Sequence, residues 1–371
     1  MVEKFFAIII RILTTVLKIP KIMEIYLKGI GNEAVSTVTE ILPLEGCKGA
    51  IELNTSKFST TNNVAIGTIL LIISALLTAG SNVYYSSNVQ DISPFTFTFI
   101  SFLITAVFFH IIQLKNYTKN MQINSKNLKN IIGINLSTAG VFMCFYFALK
   151  YIEPAIVGAI EIGVGPISSL IIIKLFYRQT VKRVDIFTGI GALAGSLFLI
   201  FGTLNGNSGI AFQSLPIAVA GLISATLCGF FAALAAIYSK NLSKDNWSSS
   251  KILAHRFYAI ITLSLILSLQ QGNLLLQLTS NWVWILVVSV IGVAIPLYFL
   301  QIGIKHSETF FVMMSLSFIP IFTYAFQLFD SRIATSYHSL SGISIILGFA
   351  LFSVYINNLR NRSIAHKKMV L

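Results

Sequence analysis

The sequence predicts an all-α integral membrane protein of about ten transmembrane helices, built as two inverted five-helix repeats. Three observations carry that prediction. Of 371 residues, 55% are hydrophobic and only 11% are charged, whereas soluble domains carry about 25% charged residues. Apolar stretches of bilayer length, roughly 20 residues, follow one another from about residue 64. Finally, the chain repeats itself. Pro166 lies 23 residues before Gly189, and Pro320 lies 22 before Gly342; Gly189 and Gly195 stand six apart, as do Gly342 and Gly348.

Residues 1–62 form an N-terminal extension outside this pattern. Phe5–Leu17 is apolar but too short to span, and Lys4, Arg11 and Lys18 recur every seven residues. That spacing suits a basic amphipathic helix lying on a membrane surface, followed by a segment of low order. The spans are expected at 64–87, 94–114, 129–149, 154–176, 184–204, 213–239, 252–270, 281–302, 307–329 and 338–356. Long unbroken apolar runs read as helices, because barrel strands alternate with period two. The repeats then cover 63–205 and 206–357, with a basic tail at 358–371.

If the N-terminus is cytoplasmic, 23 of the 26 Lys and Arg residues fall on the cytoplasmic side. Positive loops inside are what sets orientation, so ten spans with both termini inside agree with the charge count. That distribution also accounts for the net charge of +13 without nucleic acid. Five spans per repeat is an odd number, so the second repeat enters the membrane from the opposite face. Inverted repeats of this kind place a substrate site near the midplane where they meet.

Glu161 is the strongest candidate for that site. It lies seven residues beyond Pro154, roughly 10 Å below the membrane surface, where a charge is costly and is expected to face a cavity or a partner. It suits a cationic group or a proton. Gly163, Gly165 and Pro166 follow at once, and Ser317 and Pro320 occupy the matching place in the ninth span. Proline interrupts helical hydrogen bonding, and paired interruptions point to hinge or cavity positions. Arg256, inside the seventh span, either snorkels, makes a helix–helix bond or contacts substrate. Asn82, Tyr84, Asn135, Tyr146, Tyr298 and Gln301 are further polar residues within spans, suited to interhelical hydrogen bonds or to a moderately polar cavity lining. Gly191 and Gly195, mirrored by Ser344 and Gly348, suit close helix packing within the bundle or at a homodimer seam.

Cys47, Cys144 and Cys228 are far apart, and no metal or cofactor motif is present. No intramembrane Asp pair or His pair supports an enzyme.

The fourth-span IEPAIVGAIEIGVGPISSLII with its ninth-span partner, the TGIGALAG and SGISIILG segments and Ser93-Pro94 together resemble the drug/metabolite transporter superfamily, EamA type. The resemblance covers 64–357. It implies a bacterial inner-membrane permease for small metabolites, amino acids often among them, with a central cavity. Such proteins often carry an arginine seven residues after the second-span proline; here that position is Ser101, while Arg256 stands at its counterpart. The expected function is a secondary transporter, an exporter, of a small polar or amphipathic metabolite. A proton is the candidate coupling ion. The rival readings are a membrane-embedded interaction or assembly protein using residues 1–62, and an intramembrane enzyme.

Overall fold

The computed structural model describes residues 59–115, 125–178, 180–211, 214–272, 282–307 and 309–370. The chain divides into two units, Met1–Ile66 and Gly67–Leu371. The basic surface helix expected at 5–17 lies outside the described residues. Every described element is helical, and ten helices are long and apolar enough to cross a membrane: Gly67–Asn88, Pro94–Gln113, Asn127–Tyr151, Pro154–Phe176, Arg183–Leu204, Leu215–Lys244, Ser249–Gln271, Trp282–His306, Thr309–Gln327 and Tyr337–Ile356. The tenth helix continues past its span to Val370.

Helix pairing follows a two-fold pattern. The second span packs on the seventh, the fourth on the ninth and the fifth on the tenth, so these three spans meet their counterparts in the other repeat. Third and sixth also pair, with Gly133 and Gly140 seated against the rings of Tyr238 and Phe231. The equivalent pair, first and eighth, is joined by Gly303 against Leu71 and by the Ser74 hydroxyl donating to the Pro296 carbonyl at 2.8 Å. Small residues at these crossings let backbones approach closely, which is how membrane helices gain packing energy without a hydrophobic drive between them.

The fourth span is the axis of the bundle. Its apolar window is 78% buried, against 67% for the ninth and 33% for the tenth. Ile69, Val107, Phe187, Phe201 and Phe352 are exposed, as suits a lipid-facing surface.

Three spans are not regular α-helices. The seventh splits into Ser249–His255 and Tyr258–Gln271. The ninth splits into Thr309–Ser315 and Phe318–Gln327. The eighth carries a π-helical stretch over Val288–Ala294. The fourth span, by contrast, runs unbroken through Pro166. The two expected proline interruptions therefore differ: one is carried within a continuous helix, and the other lies just beyond a break at Leu316–Ser317.

Candidate functional site

The fourth span brings two acids into the interior. Glu161 is only half-buried, although Ile160 and Ile162 on either side are buried. Gly229 of the sixth span rests on the backbone here: a Cβ at Gly229 would come within 2.5 Å of the Glu161 carbonyl oxygen. This close approach sets the buried Cys228 beside the carboxylate, to which its thiol hydrogen-bonds. Among the described residues no basic side chain forms an ion pair with Glu161, whereas Arg332 pairs with Asp330 at 2.5 Å. Tyr146, also within electrostatic reach of Glu161, sits in an aromatic cluster with Tyr85 at 4.7 Å, Phe97 at 5.0 Å and Phe142 at 6.1 Å between ring centroids. Trp284 of the eighth span stacks on Phe97 at 5.7 Å, so the cluster joins the two repeats.

Glu153, which the sequence did not single out, is 1% exposed. One carboxylate oxygen accepts from the Gly209 amide at 2.6 Å and the Ser339 hydroxyl at 2.9 Å. The other accepts from Gln327 Nε2 at 2.6 Å. Four separate parts of the chain are thereby tied at one end of the bundle, and the Ser336 hydroxyl donating to the Asn207 carbonyl at 2.6 Å reinforces the knot. Burial raises the Glu153 carboxyl above its usual range, and the hydrogen bonds from Gln327, Gly209 and Ser339 partly offset that.

Arg256 sits at the break in the seventh span, as the C-cap of Ser249–His255. It is 4% exposed, and its Nε donates to the Thr138 hydroxyl at 3.2 Å. The break has no proline or glycine. Asn135 of the third span holds it instead: its Nδ2 donates to the His255 carbonyl at 2.7 Å, and its Oδ1 accepts from the Ala259 amide at 3.3 Å. One side chain thus serves both backbone groups freed by the interruption. Of the two roles the sequence allows Asn135, an interhelical hydrogen bond or a polar lining, the structure shows the first, and it staples a discontinuous helix.

The remaining candidates are distributed through the bundle. Asn82 is buried with its Nδ2 unpaired. Gln301 is fully buried and accepts from the Ser239 hydroxyl at 3.1 Å. Tyr298 is buried against Phe109, 5.9 Å away. Ser317 is buried at the ninth-span break with its hydroxyl unpaired, and Pro320 lies against Gly158 of the fourth span. Gly163 and Gly165 mark close packing rather than open space. A Cβ at Gly163 would collide with the Ser196 hydroxyl of the fifth span, and one at Gly165 would press on Met313 of the ninth. Gly191 and Gly195 pack against Phe349 and Ile346 of the tenth span, as expected of helix-packing glycines, but Gly348 has nothing within 4 Å of its Cβ position. It faces outward because the tenth helix turns its Gly342 and Ile346 side toward the fifth. Among the described residues no three His, Cys, Asp or Glu side chains converge as metal ligands.

Comparison with known proteins adds two findings. The model of the EamA-like transporter family matches residues 65–201 and 219–355, well over half of the chain in two successive copies. A solved crystal structure superposes with a TM-score of 0.58 over 79% of this chain and 97% of its own, at 16% identity; the likeness shows the fold. No curated protein sequence matches.

Proposed function

The chain belongs to the EamA-like transporter family, and from that premise we propose that it exports a small polar or amphipathic metabolite by alternating access. Membership makes it a membrane transporter of the drug/metabolite type. What supports the finer reading is Glu161, an acid only partly buried in the most buried span, with a single thiol beside it. A carboxylate in a membrane interior is costly unless it meets water, a proton or a ligand, so Glu161 is assigned to the solute path as the group that binds substrate or carries a coupling proton.

The Glu153 knot and the aromatic cluster around Tyr146 are assigned to closure of one end, the end away from the Lys- and Arg-rich loops. In the other half of the cycle that end opens, as the two repeats rock about the fourth and ninth spans. Pro166, Ser317 and Pro320 flank that contact. The positive loops support termini that face the cytoplasm, and the membrane in this reading is a bacterial inner membrane.

The test is a metabolite library screened for thermal stabilisation of the purified protein, repeated on Glu161→Gln. Stabilisation by at least one compound that disappears in the variant is expected. An unchanged shift in the variant removes Glu161 from the path.

A further inference from the structure

We infer that the break in the seventh span is an anion site, and that the transported solute carries a carboxylate on an apolar body. The inference rests on the transporter reading and specifies its substrate class.

The argument begins with donors that lack acceptors. A guanidinium carries five N–H donors and no acceptor. At Arg256, 4% exposed, one of the five is used, toward Thr138. Among the described residues no carboxylate pairs with Arg256. Its charge is not carried to a headgroup either, as a snorkelling side chain would be, because the group is enclosed in the bundle. On the facing second span, Ser101 is fully buried and its hydroxyl is unpaired. Ser101 and Arg256 hold matching places in the two repeats, and the residues after them meet: Phe102 and Phe257 lie 5.2 Å apart between ring centroids.

The backbone adds to the same field. The second half-helix, Tyr258–Gln271, starts directly behind Arg256, and the N-terminus of a discontinuous membrane helix favours negative charge. A buried cation, a free hydroxyl donor and a helix N-terminus together call for a ligand rich in acceptors. A carboxylate fits, because its two oxygens match the planar fork of arginine.

The apolar body follows from what continues the site. Phe257 lies under the guanidinium, 5.6 Å from it. Beyond Phe102 the rings continue through Phe142, 4.6 Å away, to Tyr146 at a further 6.1 Å. Tyr146 is within electrostatic reach of Glu161. Aromatic side chains therefore run from the unpaired cation toward the acid, and they suit the apolar body of an amphipathic acid.

The experiment uses the full chain in phosphatidylcholine nanodiscs. Binding of phenylacetate and indole-3-acetate is measured against the matching amides and amines. The acids are expected to bind about tenfold or more tighter than the amides, the factor a lost charge-assisted pair represents. Arg256→Gln removes that preference, weakening acids far more than amides, and Thr138→Val, which removes the hydroxyl that orients the guanidinium, weakens acid binding several-fold. The Thr138 variant keeps the test decisive if Arg256→Gln does not fold. Equal binding of acids and amides by the native chain, no binding of any acid, or acid binding unaffected by Thr138→Val would overturn the site. Competition by phosphatidylglycerol added to the bilayer would assign the anion site to a lipid headgroup and also overturn the inference. Acid binding without uptake or efflux in proteoliposomes would leave the anion site standing and refute the transporter reading. Transport of a neutral or cationic solute, untouched by Arg256→Gln, would do the reverse.

Discussion

Glu153 and Glu161 stand eight residues apart, at the start and in the middle of the same span, yet the protein uses them in opposite ways. Glu153 is sealed, and three donors converge on its two oxygens. Glu161 keeps part of its surface open and has a thiol for company. An acid whose lone pairs are filled by the chain is committed to holding the chain together. An acid left unfilled is available to something that arrives. Depth in the membrane separates them poorly; satisfaction of hydrogen bonds separates them well.

The sharpest way to break this comparison is Glu153→Ala. It strands the Gly209 amide, the Gln327 amide and the Ser339 hydroxyl in a buried site, and each stranded group costs about 1–3 kcal/mol. A loss of about 3–5 kcal/mol in unfolding free energy is expected, read by thermal or denaturant melting in lipid. The glycines provide the next test, because Gly163 holds the fourth span against the fifth. Gly163→Val forces those backbones apart at Ser196 and Ala192, and overpacking of this kind costs about 1–3 kcal/mol; melting of the variant checks it.

Stability against pH follows in size. The folded carboxyl of Glu153 titrates above its unfolded value of 4.5, so the folded state holds its proton more tightly. The stability this contributes is fully present below pH 4.5 and is lost as pH rises through the folded value. Melting curves of the native chain and of Glu153→Gln, compared across that window, should show the native chain gaining on the variant as pH falls.

Glu161→Gln should change stability by less than about 1 kcal/mol, since the amide keeps the shape of a side chain that has one weak partner; loss of ligand-induced stabilisation is its expected signature. The smallest effect belongs to Gly348→Ala. Nothing surrounds that position, so the melting temperature should stay the same or rise slightly, as alanine favours the helix.

The sequence made the ten spans and their duplication legible because lipid allows few solutions: backbone polar groups must be satisfied inside each segment, so long apolar runs are helices. It exposed Glu161 because a charge in the middle of such a run is rare. Glu153 was hidden by its address. Beside Pro154, at a segment boundary, an acid reads as solvated, and its partners Gly209, Gln327 and Ser339 stand 56 to 186 residues away. The seventh-span break was hidden for a similar reason. Nothing in KILAHRFYAI interrupts a helix; the interruption depends on Asn135, more than a hundred residues earlier. Pro166 taught the converse, since a local signal for disruption was absorbed by a continuous helix. Long-range partners decide where membrane helices open, and a single sequence does not display its partners.

The distinction between the two acids can be measured on the native chain. In lipid, the protein is treated with a water-soluble carbodiimide and an amine nucleophile, and the modified carboxyls are located by peptide mass spectrometry. Modification at Glu161 with Glu153 spared is the result required of an acid on a solute path and an acid inside a closure. Modification at Glu153 with Glu161 untouched would contradict it.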